Sequence, residues 1–519
     1  MNGNIDNEIF FSLILVDGIK PIIVLTLWML SASIIHSQPS IEWQTCLGGS
    51  DNDLGQFIQQ TPDSGYIALG TTDSTDGDVT GNHGEDIWIV KLDETGSIQW
   101  QKCLIDEQWE AAEKLFQTTD GGFVITGVKW NGSDDDLVVI KLDINGDTEW
   151  IKYFGGPGNN GGTSILQTSD NGYIIGGASD SLGGDVTENF GYQDFWILKL
   201  NHAGVLQWEK SFGGSNVEFP LSMDYASDNG FILIGLTASV DGHITEPLGL
   251  YDIWVVRIDS SGNLLWQKTL GGRGNDVSEA IRLTPDGNYV LAASTTSNDE
   301  LVPGNHGQND LLAYKLDDEG NIIWQKIYGG SGIDGGLSLD LTSDNGFIIA
   351  GYTTSPDDGD VSGHHTLHDY WVVKLDANGD LSWQKCLGGS GIDVAQSIQQ
   401  TNDGGFIVAG YSNSEELQNY HGSHDFFIVK LSVALGAYSE THHPDITIYP
   451  NPANNVLHFQ DNGDQRWDRI EIINLVGVTQ GVFKNIETGE INLSHLPDGY
   501  YLLKFKNENF TSIRTFYKN

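Results

Sequence analysis

The groups with the greatest chemical reach in this chain are carboxylates: 71 Asp and Glu stand against 25 Lys and Arg, a formal net charge of −46. Such a field repels nucleic acid and anionic lipid, and no nucleic-acid partner is expected. A carboxylate can serve in a catalytic acid–base pair, ligate calcium, or accept backbone N–H groups in a turn. One recurs at seven places, Asp86, Asp136, Asp194, Asp252, Asp310, Asp369 and Asp425, each heading an apolar run such as DFFIVKL. A catalytic acid is not needed seven times. A loop-to-strand junction is, so these aspartates are expected to hold backbone N–H groups. Other acids lie in GGxGxD segments (Asp276, Asp334, Asp393) and in long polar stretches (Asp76, Asp78, Asp358, Asp360). With His83 they make up the candidate ligand-binding set, and calcium is the cation such acids could take.

Other chemistries find less support. The turns at 143–147 and 376–380 have the composition of calcium loops, but glycine interrupts the acidic triplet and no glutamate stands at the twelfth position. They read as hairpin turns. His364, His365, His368, His421 and His424 lie in loops without a ligand spacing, which favours solvation or a nearby carboxylate over a metal. No serine elbow, HExxH pair or phosphate loop occurs, and no catalytic residue is assigned. Cys46, Cys103 and Cys386 each stand three residues after a tryptophan, at equivalent places too far apart to bridge, and read as apolar fillers.

The elements that must position these groups follow from a repeat. Trp43, Trp100, Trp150, Trp208, Trp266, Trp324 and Trp383 are separated by 57, 50, 58, 58, 58 and 59 residues, a period that points to propeller blades or a solenoid. Each unit reads as four strands, illustrated by 397–401, 405–412 and 425–431, with 380–387 as the fourth strand of the preceding unit. The first two are joined by TxDGG-type turns and the last two by LDxxG-type turns, both suited to tight hairpins. The region opens on a lone fourth strand around Trp43 and stops after a third strand at Leu431. Each end supplies what the other lacks, so the first segment is expected to close the last blade and remove two exposed edges.

The LDxxGxxxW segment (Leu92, Asp93, Gly96, Trp100) resembles the tryptophan-docking motif of quinoprotein-like propellers, with Ile258 and Asn201 as departures. The resemblance implies a fold in which each indole packs between blades; it does not extend to the cofactor. In a four-stranded antiparallel blade, the GGxGxD segments and the long loops such as 72–86 share one face, where propellers usually bind partners. The second unit, with a short loop at 131–136, should leave a lower sector in that rim.

Residues 20–37, KPIIVLTLWMLSASIIHS, read as an export signal preceded by a segment foreign to such signals, so the true start is expected downstream of Met1. After Leu431 a polar linker, 432–444, leads to residues 445–519, whose alternating segments suit a small Ig-like β-sandwich. Tyr449, Pro450, Asn451 and Pro452, then Leu457, Leu493, Leu496, Pro497, Gly499 and Tyr500, resemble the type A sorting domain of the Bacteroidetes type IX secretion system. That resemblance implies the secretion machinery as a partner, passage across both membranes, and release or attachment to surface lipopolysaccharide. The expectation is an all-β protein: a seven-bladed β-propeller over 38–431, closed by its N-terminal strand, then the sandwich. It would act outside the cell as a binding module for a glycan or protein. A glycan hydrolase or lyase with acids hidden among the loop aspartates, and a structural surface protein, are the alternatives.

Overall fold

The computed structural model describes residues 38–82, 84–104, 110–433, 446–449, 453–461, 469–474, 479–484, 490–497, 499–506 and 511–518. The signal region 1–37 and most of the linker lie outside the described residues. Every named regular element is a β-strand. Through residue 431 the strands form seven four-stranded sheets, a repeated arrangement compatible with a propeller-like fold.

The first sheet shows the pattern. Asp53–Gln60, Tyr66–Thr72, Asp86–Leu92 and Ile98–Leu104 pair antiparallel in chain order. The two middle strands are buried at every residue, because each sheet is covered on both faces, and their sequences run apolar rather than alternate. The first turn is clamped by Asp63, whose Oδ1 accepts from Thr61 Oγ1 at 2.5 Å and from the Gly65 N–H at 3.1 Å. In the second turn, Asp93 Oδ1 accepts from the N–H groups of Thr95 and Ser97 at 2.9 and 3.0 Å. These side chains mimic a backbone turn and fix the register of both hairpins.

The seventh sheet combines Asp393–Gln400, Phe406–Ser412 and Asp425–Leu431 with Ile41–Leu47, the first strand of the chain. Thr45 stands opposite Ile428 and Cys46 opposite Phe427 in that antiparallel pair. The first strand of this sheet begins at Asp393, four residues before its expected start at Ser397. The GGxGxD aspartates therefore head strands rather than ride in loops.

Neighbouring sheets are joined by tryptophan. Four indoles of fourth strands meet an aromatic ring of the next sheet's second strand edge-on or tilted: Trp43 with Tyr66 at 5.8 Å, Trp150 with Tyr173 at 5.8 Å, Trp324 with Phe347 at 6.0 Å and Trp383 with Phe406 at 5.7 Å between centroids. The LDxxG turn of the next sheet lies over the same indole. A Cβ added at Gly96 (φ +82°) would come within 2.8 Å of Trp43, and one at Gly146 (φ +76°) within 2.6 Å of Trp100. Glycine is needed there for both its backbone conformation and its lack of volume. First strands are also stitched together: the Ile398 N–H donates to Ser338 Oγ at 3.2 Å, and the Ile58 N–H of the first sheet donates to Ser397 Oγ of the seventh at 3.2 Å.

A cation near the end of every third strand pairs with the clamp aspartate of the first hairpin. The pairs are Lys91–Asp63, Lys141–Asp120, Lys199–Asp170, Arg257–Asp228, Lys315–Asp286, Lys374–Asp344 and Lys430–Asp403. The stems are buried while the carboxylates stay half exposed, so the charge is carried to the surface without desolvating both partners.

Beyond the repeats, Ile446–Tyr449, Val456–Asp461 and Glu490–Asn492 form a three-stranded sheet, and Arg469–Asn474, Thr479–Lys484, Gly499–Lys506 and Thr511–Lys518 a four-stranded one. They share a core that includes Leu457, Ile472, Leu496, Leu503 and Phe516.

Trp383 is 6% exposed and joins the sixth and seventh sheets. Trp383→Ala is expected to cost about 3–5 kcal/mol of folding stability, read as a lower urea midpoint at an unchanged slope.

Candidate functional site

The loop-rim acids divide by what their oxygens already hold. Asp276, Asp334 and Asp393 have no exposed surface. Asp276 Oδ2 accepts from the Gly272 N–H and Ser297 Oγ, each at 2.8 Å, while Thr295 Oγ1 donates to Oδ1. Asp334 repeats this with Gly330, Ser355 and Thr353, and Asp393 with Gly389, Ser414 and Ser412. A buried carboxylate saturated by three in-chain donors ties the GG segment to the start of the long loop and offers little to a ligand.

Asp76, Asp78, Asp358 and Asp360 retain surface. Asp76 Oδ1 accepts from the Ser50 N–H at 2.7 Å, and Asp358 takes the Ser331 N–H at 3.0 Å and its hydroxyl at 2.7 Å. Asp78 Oδ2 lies 3.4 Å from the Gly48 nitrogen and 3.7 Å from His421 Nε2; Asp360 Oδ2 accepts from the Gly329 N–H at 3.3 Å. His83 lies outside the described residues. Among the described residues no three His, Cys, Asp or Glu side chains converge as a metal site.

Five of the junction aspartates hold the long loops shut from within, whereas Asp136, the second residue of its strand beside the short loop, accepts from the Asn131 side-chain amide at 3.1 Å. Asp194, Asp252, Asp310, Asp369 and Asp425 each accept the N–H of the residue four positions earlier, at 2.5 to 2.8 Å. Three are also met by a histidine ring: His306 on Asp310, His365 on Asp369 and His421 on Asp425, at 2.9, 2.8 and 3.2 Å. His306, His365 and His421 are thus carboxylate partners, whereas His364 faces the Leu367 carbonyl at 3.4 Å and His424 the Asn52 side chain at 3.2 Å. The same loops expose large apolar side chains: Leu182, Tyr192, Val240, Leu250 and Leu367 are between 54 and 72% exposed. The second unit has only a tight turn here, closed by the Asn131 N–H to Asp134 carbonyl bond at 2.9 Å.

A second region was missed by sequence reasoning. All seven first strands contribute to one cavity of about 210 Å³. Each of these strands carries a β-bulge at the same position, which places Gln56, Glu113, Thr163, Leu221, Glu279, Leu337 and Gln396 at the irregularity. Bulges re-aim side chains, and a period-two pattern cannot reveal them. The lining includes Lys114, Arg282, Asp224, Asp340 and Glu279, none of them common to all repeats. Enclosure, with Arg282 next in weight, pulls the Lys114 ammonium down to about 7. Burial pushes Glu279 up to about 7 and raises Asp224 and Asp340 against the pull of Arg282. The available signal was the irregularity itself, a lysine and an arginine where other repeats carry neutral or acidic residues.

In the C-terminal sheets, Leu457 and Leu496 are core residues and Tyr449, half exposed, stacks on His458 at 5.4 Å. Tyr501 Oη donates to the Pro497 carbonyl at 2.9 Å. Pro450, Asn451 and Pro452 lie outside the described residues, as does the side chain of Tyr500, while Gly499 opens a strand.

Comparison with known proteins bears on this end of the chain. Residues 447–519 match the family described as the secretion system C-terminal sorting domain. This is the signal for type IX export, and the protein is secreted or attached to the cell surface. A 164-residue stretch is 27% identical to the regulatory protein FlaEY of Caulobacter vibrioides, covering 30% of this chain and 17% of that protein, so the chain spans a small part of that relative. Among solved structures, Sqt1 of Chaetomium thermophilum, bound to the N-terminus of ribosomal protein L10, aligns with 74% of this chain and 98% of its own, at 12% identity and a TM-score of 0.40. Puromycin hydrolase aligns with 83% of this chain and 60% of its own, at 11% identity and a TM-score of 0.45. Likenesses at this level say nothing about ligand or activity.

Buried acids give a pH signature. Burial holds Asp194 and Asp425 up at about 6, whereas Asp63 and Asp170 are held at about 2, by hydrogen bonds from Thr61 and Thr168 and by Lys91 and Lys199, against some burial. A raised carboxylate costs stability once ionised, so the fold gains as pH falls from about 6 to 4. A lowered carboxylate gives stability that is lost as pH falls from about 4 through 2. The thermal midpoint should therefore rise on acidification from pH 7 to 5 and drop below pH 4. Replacing both Asp194 and Asp425 by Asn should flatten the rise.

Proposed function

We propose that this chain is an exported binding module. Its seven sheets are the blades of a closed propeller spanning 38–431, docked by tryptophan in the quinoprotein-like manner. A linker at 432–444 connects it to an Ig-like sorting domain at 445–519. The machinery of type IX export handles the sorting domain, after which the propeller works outside the cell, free or held at the surface through lipopolysaccharide, as in the Bacteroidetes cargo it resembles. Support for closure comes from the pairing of Ile41–Leu47 with Asp425–Leu431 and from the Ile58–Ser397 bond between first and seventh sheets.

The observation that carries the binding role is the exposure of Leu182, Tyr192, Val240, Leu250 and Leu367 on the long loops of the third, fourth and sixth sheets. Large apolar side chains held out from a rigid scaffold mark an interaction surface for a protein or glycan. Asp76, Asp78, Asp358 and Asp360 supply the polar part of the same rim, with calcium as the cation they would recruit.

The test is binding of the full-length exported protein to a glycan array and to surface proteins, with calcium and with chelator, while the same glycans are assayed for cleavage. Saturable binding without product is expected, weakened about tenfold or more by combined Tyr192→Asp and Leu250→Asp. Product release abolished by changing one or two acids would replace the binding module by a hydrolase or lyase. No binding to either class would remove the proposal.

A further inference from the structure

The cavity enclosed by the first strands holds two cations whose situation differs from that of every third-strand cation. Each of those seven is paired with an aspartate of its own sheet. Among the described residues, Lys114 and Arg282 make no ion pair. The Lys114 ammonium lies 4.7 Å from the centre of the Phe57 ring, and Arg282 Nη1 donates only to the Ile281 carbonyl, at 2.8 Å. This occurs in a chain with 71 acidic residues and 25 basic ones, where an unpaired enclosed cation is the exception. Asp224 accepts the Leu283 N–H at 2.8 Å and Asp340 the Gln400 N–H at 3.0 Å, and Arg282 draws on both without bonding to either.

We infer that the central cavity is a binding site for a small hydroxylated carboxylate, its charged group held by Lys114 and Arg282 and its hydroxyls donating to Glu279, Asp224 or Asp340. Acids act on both cations from beyond ion-pair distance, so the cations keep donors free, and an anionic ligand would gain charge-assisted hydrogen bonds from them. Two cations contributed by different sheets, the second and the fifth, confer selection for an anion that a neutral isostere cannot satisfy. The surrounding acids exclude larger polyanions and select for hydroxyl donors. No repeat other than these two carries a cation at the corresponding positions, so the site exists once per ring.

Glu113, Arg282, Asp340, Asp224 and Glu279 are the charged groups around Lys114. Because the free ammonium titrates near neutrality, anion binding should take up a proton and weaken as pH rises.

The experiment is titration calorimetry on the full-length protein with glucuronate, with glucose as its neutral counterpart, and with inorganic phosphate. Glucuronate should bind at one site per chain at least about tenfold more tightly than glucose, with proton uptake and with affinity falling between pH 6 and 8. Lys114→Met should lower that affinity by about tenfold or more, and Lys114→Arg should retain it. If Lys114→Met does not fold, the pH series on the unaltered protein carries the test alone. Phosphate binding without glucuronate binding would overturn the carboxylate assignment. No saturable anion binding, equal affinity for glucose, or an affinity unmoved by pH and by Lys114→Met would overturn the site. The rim variants Tyr192→Asp and Leu250→Asp should leave glucuronate binding unchanged, which separates failure here from failure of the rim as an interaction surface.

Discussion

A sheet whose two middle strands are buried on both faces cannot persist alone, and that constraint governs the rest of this molecule. Runs such as DIWIVKL and YIALGTT have no polar face to turn to water, so each sheet needs a neighbour on either side. The indole at the end of every repeat meets this need in a directional way. Trp43, for example, leaves one sheet from its last strand, lodges beside Tyr66 of the next, and lies under Gly96, which can offer no Cβ. An arrangement in which every sheet must cover its successor ends in exposed apolar faces unless it returns on itself. The antiparallel pairing of Ile41–Leu47 with the last repeat is the hydrogen-bonded contact that such a return would need.

The periodic features were legible because they are paid for in residues of unusual type. Tryptophan spacing and the TxDGG and LDxxG turns located the strands, and the complementary ends of the repeat pointed to the shared seventh sheet. Where the reading missed, the cause was local. Asp276, Asp334 and Asp393 looked like loop acids because a glycine-rich segment precedes them, yet each heads a strand with its carboxylate turned inward to serine and threonine hydroxyls. The ladder of third-strand cations was written as Lys or Arg one residue before the terminal Leu or Ile. It escaped notice because a charged residue in an apolar run suggests solvent rather than a buried stem.

Repetition also explains which acids are poor candidates for function. A side chain needed by the fold recurs from sheet to sheet, as do the seven clamp aspartates and the five junction aspartates that accept a loop N–H. Chemistry specific to this protein belongs where repeats disagree: at the apolar loop tips of some sheets, and at the bulged first strands where one repeat has Lys114 and another Arg282. Neither place follows from a period. The net charge of −46 is consistent with a protein built to work in solvent, and the sorting domain at 447–519 directs it there.

The central claim is that the chain closes on itself through its first described strand, and amide hydrogen exchange tests it most directly. If the ring is closed, the amides of Thr45 and Cys46 that face Asp425–Leu431 exchange as slowly as those of the interior strand Phe406–Ser412, because both open only with global unfolding. Rapid exchange at 41–47 beside full protection at 406–412 would show the first strand to be an independently fraying arm, and would contradict the account of the fold given by its two complementary ends.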